Sequence, residues 1–342
     1  MIEVRDAAAG PEALAAFLSL PDAVYRGDAR YKATPRADVL ASLRRPDFTG
    51  AQSERVALEA GEPVARMVAR RSPALRDDAG RPLGLLGFFE ALDGHPEAVA
   101  RLFAESLQWL REAGAGDIVG PMDGDTWHRY RLNVGPWDDP PFLLEPYNPP
   151  WYAPLWTANG FAVLERYLSK QVDPAAVVAH LEARRGEALA AGYTLRPLDL
   201  SRFESELGTI YELSRRIFSG NFLYTEIPRD EFLKLYAGAR PLLDPGLVPF
   251  ARSPAGEDVG FLFAYPDPFH AGAVDFKTLG VLPAHRRSGV AAALFHEGHR
   301  HALGKGCRLA NHCLFREGNP SGDLDGGAGR ILRRYELYRW KD

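Results

Sequence analysis

Apolar positions recur along the chain at two spacings, and the switches between them mark the elements. In the first half, alternating or continuous apolar runs predict strands at 2–5, 54–60, 62–70, 83–91, 117–121 and 161–171, and three-and-four spacing predicts helices near 11–20, 35–44, 96–113 and 151–159. The same order then starts again: strand 193–198, helices 201–219 and 228–238, strands 247–252, 258–265 and 273–282, helix 289–304, strand 307–313 and a last strand-like stretch, RRYELYRW. Between the two series, residues 173–192 have helical spacing with Asp173 placed as N-cap, Pro174 in the first turn and Gly192 as the stop, which predicts a linker helix.

Residue similarities support the repeat. EVRDA at 3–7 resembles TLRPL at 194–198, with Arg5 and Arg196 separated by 191 residues. ARLFAES at 100–106 resembles AALFHEG at 292–298, with Leu102 and Leu294 separated by 192. Two similarities at nearly one offset, in the same order, imply two copies of one fold, at 1–172 and 193–342, joined by the 173–192 helix.

Composition changes this picture little. An apolar content of 46% over 342 residues supplies two cores of ordinary size. There is no apolar run long enough to cross a bilayer, and the opening MIEVRDAAAGPEALAAF has acids where an export signal has bases, so the expectation is a cytoplasmic protein without a membrane partner. The abundant Ala, Arg, Gly and Pro fit a GC-rich bacterial genome. A formal net charge of -4 gives no global footprint for nucleic acid. Cys307 and Cys313 are the only cysteines, their spacing matches no metal or redox motif, and the expectation is no metal.

The chemistry concentrates in LGVLPAHRRSGVAAALF, residues 279–295. A strand ending at Val281, a short turn and the first amides of a helix make a concave anion site, because free N–H groups and the helix dipole favour negative charge. Gly289 admits close backbone approach, Arg286 and Arg287 add positive charge at the rim, and Ala291 to Ala293 keep the helix face shallow. A pyrophosphate suits such a site. The longer stretch AVDFKTLGVLPAHRRSGVAAALF resembles the acetyl-CoA-binding motif of the GNAT superfamily of N-acetyltransferases, with Arg286-Arg287-Ser288-Gly289-Val290-Ala291 as its (Arg/Gln)-x-x-Gly-x-(Gly/Ala) loop. No Gly-Lys-Ser/Thr follows, so it is not a P-loop.

The resemblance implies an α/β fold, a mixed and mostly antiparallel central sheet flanked by helices, present twice, with acetyl-CoA as cosubstrate in the second copy. It implies that the amides of Arg287, Ser288, Gly289, Val290 and Ala291 take the pyrophosphate, with Arg286 near the adenine-side phosphates and Asn319 at the start of the family's second helix. Backbone groups of Gly280, Val281 and Leu282 would pair with the pantetheine arm along an edge made by splaying strand 273–282 from strand 307–313. Asp275 occupies the strand position of a general base, or else fixes the start of the strand. Lys277, two residues on, would lower its proton affinity.

The resemblance weakens at the acid. The family's second helix carries a tyrosine that protonates the departing thiolate, and here Gly326 falls in its place; Tyr335, Tyr338 and Ser321 are the alternatives. The first copy is the mirror case. NPPWYAPLWTANGF at 148–161 resembles that second helix, with Trp156 in the tyrosine's place, while the phosphate loop becomes DGHPEA, Gly94 replacing Arg286 and Glu97 replacing Gly289. A carboxylate there repels a pyrophosphate, so the first copy is expected to bind no CoA. The aromatic stretch 135–156, with Asp125, His128 and Arg131 just before it, either packs on its own domain or lines an acceptor pocket. The functional expectation is an N-acetyltransferase acting on a primary amine of a small molecule or peptide, with a homodimer left open. The alternatives are a non-catalytic acyl-CoA-binding scaffold, and a transferase of a longer acyl or an aminoacyl group.

Overall fold

The computed structural model describes residues 1–341, and its elements begin and end within a few residues of the periodicity. In chain order they are β1 (Ile2–Asp6), α1 (Pro11–Val24), α2 (Arg36–Leu43), β2 (Gln52–Glu59), β3 (Glu62–Arg76), β4 (Pro82–Ala91), α3 (Pro96–Glu112), β5 (Ile118–Gly120), β6 (Leu132–Gly135), α4 (Tyr152–Ala158) and β7 (Ala162–Val172). Then follow α5 (Pro174–Ala190), β8 (Thr194–Arg196), α6 (Phe203–Phe218), α7 (Arg229–Ala237), β9 (Phe250–Arg252), β10 (Asp258–Pro266), β11 (Ala273–Val281), α8 (Val290–Gly304), β12 (Leu309–Arg316) and β13 (Arg330–Trp340). The linker helix α5 starts as its capping residues dictate: Asp173 accepts the Ala175 N–H at 2.9 Å, and Pro174 opens the first turn.

The chain forms two units. The first holds Met1–Gly135, Pro146–Arg166 and the last residues from Tyr335 on; the second holds Pro136–Glu145 and Tyr167–Arg334. These units differ from the two sequence copies in the strand ends they own. The end of β13 pairs antiparallel with β5, Tyr338 opposite Gly120, and so completes the first sheet. The end of β7 pairs antiparallel with β12, Val172 opposite Ala310, and so completes the second.

Each unit is a mixed sheet with helices. The first runs β1-β2-β3-β4-β5-β13, antiparallel except where β4 and β5 pair in parallel at Gly84–Ile118 and Leu85–Val119. The second runs β7-β12-β11-β10-β9-β8, with β11 and β12 parallel from Ala273–Leu309 to Phe276–His312. The strand–helix–strand crossover occupies the same place in both, with Leu102 on α3 and Leu294 on α8 fully buried, which is the repeat that the sequence offset of 192 detects. In the first core Trp156 is fully buried with Phe89, Phe103 and Phe161 edge-on or tilted around it at 4.8 to 5.7 Å between ring centroids.

Candidate functional site

In the second unit, β11 and β12 stop pairing at Phe276 and His312 although both strands continue, so beyond that point β11 has no strand partner on its β12 side. This edge leads from Thr278 to Val281 and into the turn before α8. At that turn Arg287 and Gly289 both adopt the left-handed backbone conformation, with φ of 66° and 80°. Ala293 is the first residue of the helix whose N–H reaches back, to the Gly289 carbonyl at 2.9 Å. Among the described residues, the amides of Arg287 through Ala292 find no acceptor. Two left-handed residues followed by an open helix start gather these amides into a nest, which attracts an anion.

Three loop residues are placed in ways the sequence does not reveal. The Arg286 guanidinium reaches the carbonyls of Val281 and Ile217, at 3.4 and 3.3 Å, tying the loop to the end of α6. The Ser288 hydroxyl donates to the His285 carbonyl at 2.7 Å. Gly289 faces the linker helix: a Cβ there would lie 2.7 Å from the Arg184 carbonyl and 3.3 Å from the Ala188 side chain. Its missing side chain therefore serves the approach of α5 to α8 and the left-handed turn, in addition to the close backbone approach expected from sequence. Asn319 is occupied locally, accepting from the Ser321 N–H and hydroxyl at 3.0 and 2.9 Å.

Asp275 lies where the splay begins. The neighbouring Phe276 stacks on His299 of α8 at 4.0 Å, so Asp275, one residue earlier, points to the opposite face of the sheet. It is fully buried; Asn311, its register partner on β12, donates to one carboxyl oxygen at 2.9 Å, and the other oxygen has no partner among the described residues. Burial pushes its pKa up to about 7; the Asn311 hydrogen bond opposes this, and the charges of Asp267 and Glu145 add to it. Lys277 pulls the other way but has the smallest effect, and a bulge at Lys277, where Phe263 faces Thr278 but Ala264 faces Phe276, breaks the simple alternation between the two. Lys277 lowers the carboxyl's proton affinity as expected, but desolvation outweighs it and the net shift is upward.

The surroundings of Asp275 include groups that local sequence gives no reason to choose. Glu145 is buried in an ion pair with Arg333 at 2.5 Å, and Arg333 also holds the carbonyls of Asp139 and Pro140, so residues 136–145 are strapped onto the second unit. Tyr265 donates to the Leu143 carbonyl at 3.1 Å, and Asp267 takes His270 at 2.5 Å. The partner of Glu145 is 188 residues away in sequence, so no local pattern could have announced it.

Tyr335 and Tyr338 belong to the first unit, whereas Asp275 belongs to the second. Both are buried; Tyr338 packs near Trp156 with ring centroids 6.0 Å apart and donates to Glu336 at 2.5 Å, and burial pushes its pKa well up. With its pKa raised, Tyr338 is a poor proton donor; Tyr335 is a fully buried core side chain. Ser321 bonds to Asn319 at an exposed turn.

The corresponding edge in the first unit is sealed. Past Leu85 the free side of β4 is met by Met122, whose N–H donates to the Leu86 carbonyl at 2.8 Å, and by Asp123, which accepts the Phe88 N–H at 2.6 Å. The Ala91 N–H goes to the Tyr152 hydroxyl at 2.9 Å and the Ala91 carbonyl takes the Trp151 indole N–H at 3.0 Å. Tyr152 and Tyr25 both donate to the buried Glu90 carboxylate at 2.8 Å, and Arg129 pairs with it at 3.0 Å. At the loop, Asp93 accepts the Gly94 N–H at 2.9 Å, and Glu97 stands in the first turn of α3. Asp125, held by Arg45 at 2.7 Å and His128 at 2.8 Å, braces the same side of this unit. Among the described residues no cluster of His, Cys, Asp or Glu is arranged to hold a metal, and no helix is long and apolar enough to cross a membrane.

This architecture has solved counterparts. A tandem GNAT protein from the clavulanic acid biosynthesis pathway superposes with a TM-score of 0.54 over 99% of this chain and 98% of its own, at 15% identity. The chain therefore has the tandem fold of the GCN5-related N-acetyltransferases. In sequence it is 27% identical over 264 residues to a bacterial ceramide synthase of Caulobacter vibrioides (strain NA1000 / CB15N), a match covering 75% of this chain and 68% of that protein. It is 26% identical over 184 residues to protein YghO of Escherichia coli (strain K12), covering 52% of this chain and 45% of that one, less than half its length. No family model matches the chain.

Proposed function

We propose that the second unit transfers an acyl group from acyl-CoA to a primary amine, forming an amide. The observation that carries this reading is the continuity of one feature: open amides at 287–292, then the stretch 278–280 of β11 beyond its pairing with β12, then the buried carboxyl of Asp275 at the point where the strands part. The amides suit a pyrophosphate, the edge suits the amide groups of a pantetheine arm, and a carboxyl of pKa about 7 suits a base working near neutrality. In the reaction the amine nitrogen attacks the thioester carbon, its proton passes to Asp275, the C–S bond breaks and the thiolate takes a proton.

Similarity to a protein named for ceramide synthesis favours a donor chain longer than acetyl, because ceramide is a long-chain amide. Acetyl-CoA is then the shorter of two candidate donors. The deciding experiment measures free-thiol release from acetyl-CoA and from hexadecanoyl-CoA in the presence of a panel of primary amines, small, peptidyl and long-chain. Amine-dependent release with either donor supports transfer, and the faster donor sets the chain length. Binding of CoA without release supports the scaffold alternative instead.

A further inference from the structure

We infer that His180, on the linker helix α5, is the proton donor to the departing thiolate. The inference rests on the acyl-transfer reading above and starts from the position of one ring. A Cβ at Gly326 would lie 2.8 Å from Cγ and Nδ1 of His180, so the imidazole rests over Gly326 and a larger side chain there would have to displace it. Gly326 itself has φ of 64°, which a tyrosine would adopt only with strain. The His180 side chain is exposed and has no hydrogen-bond or ion-pair partner among the described residues.

Two lengths compare the depth of this ring with that of the point where β11 and β12 part. α5 and α8 pack along one another, with Ala188 and the Arg184 carbonyl against Gly289 and Glu182 paired with His296 at 2.6 Å. From Ala188 back to His180 is eight residues of helix, about 12 Å. From Val281 back to Lys277 along β11 is about 13 Å. The helix and the strand edge thus run from the amide nest to the same depth, where the β11–β12 pairing ends at Phe276 and His312. His312 lies opposite Lys170 of β7, Lys170 pairs with Asp325 at 2.9 Å, and Asp325 adjoins Gly326, which closes the circuit back to the His180 ring.

The two faces of the sheet then divide the chemistry. Asp275 points away from α8, whereas α5 lies along α8, so an amine deprotonated by Asp275 attacks from one face and sulfur leaves toward the other. The proton balance is complete: the N–C bond forms as the amine proton goes to Asp275, and the C–S bond breaks as the imidazolium N–H of His180 goes to sulfur. Exposure of His180 lets solvent restore its proton.

The test compares the whole protein with His180→Gln and His180→Ala using the acyl-CoA and amine that give the highest thiol release. Thiol release should fall by about 10²-fold or more, with KM and calorimetric affinity for the acyl-CoA unchanged. The same acyl group is then supplied as its 4-nitrothiophenyl thioester, whose leaving group needs no proton; wild type and His180→Gln should turn it over at equal rates. Added imidazole should restore part of the activity of His180→Ala. Equal losses on both thioesters, or no loss on acyl-CoA, would overturn the assignment of His180 and leave acyl transfer standing. A wild-type protein that releases no thiol with any donor or amine overturns acyl transfer itself.

Discussion

Asp275→Asn separates a working base from a structural carboxylate because the two roles give stability effects of opposite sign. In the unfolded chain an aspartate titrates near 4. In the folded protein burial raises Asp275 to about 7, so the native state binds its proton more tightly than the unfolded state does. By linkage, the wild-type protein loses stability as pH rises from about 4 to about 7, and above 7 it carries the whole cost of an ionised buried group. Three units correspond to about 4 kcal/mol, an upper bound on the effect. Asparagine keeps the acceptor that Asn311 uses at 2.9 Å and cannot ionise. The variant should therefore match wild type near pH 4 and exceed it at pH 8, by up to about 4 kcal/mol in urea melts at the two pH values. Its kcat for acyl transfer should fall by about two to four orders of magnitude with unchanged acyl-CoA affinity. A variant less stable than wild type at pH 8 would refute the desolvation argument, and near-normal turnover would remove Asp275 from the chemistry.

Further perturbations address the rest of the molecule. Ala291→Glu places a carboxylate among the free amides of the first turn of α8, where it suits the helix dipole but repels a pyrophosphate; calorimetry should show loss of CoA binding with an unchanged melting temperature. Gly289→Glu should instead lower the melting temperature, since it forces a left-handed φ of 80° and a Cβ 2.7 Å from the Arg184 carbonyl, and a normal melt would show that α5 does not press on this loop. CoA titration of the intact chain should give one site, unchanged in Tyr152→Phe, while that variant loses about 1–3 kcal/mol in denaturant melts because the Ala91 N–H loses its buried acceptor and Glu90 a donor. Asp125 works against its burial: hydrogen bonds from His128 and Arg45 hold its pKa at about 2, so its contribution is present above about 4 and lost as pH falls toward 2. Asp125→Ala should therefore be about 2 kcal/mol less stable at pH 7 and converge with wild type in acid melts.

Much of this organisation was legible in the sequence because it is local. Strand and helix spacings, the Asp173 cap and the Leu102–Leu294 offset each depend on residues within one element or on one repeated element. The nest at 287–292 was legible for the same reason: a turn feeding a helix start is a local event. Ownership of strand ends was not legible, since whether 335–340 completes one sheet or the other is decided by pairing with β5 more than two hundred residues earlier. The surroundings of Asp275 were hidden likewise, for Glu145, Asn311 and Arg333 converge only through the fold. The net direction of its pKa shift was not legible because sequence shows a nearby lysine, which does lower it, but not the loss of water that outweighs the lysine.

The two halves give one backbone device opposite fates, and the contrast explains the sealed side as well as the open one. A parallel strand pair that splays must leave backbone N–H and C=O groups unmatched along one edge, and such groups cannot be buried without partners. The first unit resolves this permanently: Asp123, Tyr152 and Trp151 take the groups of β4, and Glu90 anchors the tyrosine that does so. Along β11 of the second unit Arg286 reaches only the Val281 carbonyl; among the described residues no side chain takes the groups of Thr278 to Gly280, and that stretch is left for a ligand or water to match. On the acyl-transfer proposal, a glutamate at the first unit's loop is tolerated because the sealed edge offers no place for a pantetheine arm, and a glycine at 326 because His180 supplies the proton. On this argument the first unit's edge should exchange its Phe88 and Ala91 amide hydrogens slowly with or without CoA. The β11 edge should become protected only when acyl-CoA is added. Hydrogen exchange showing equal protection of both edges in the free protein would mean that something other than a ligand already covers β11.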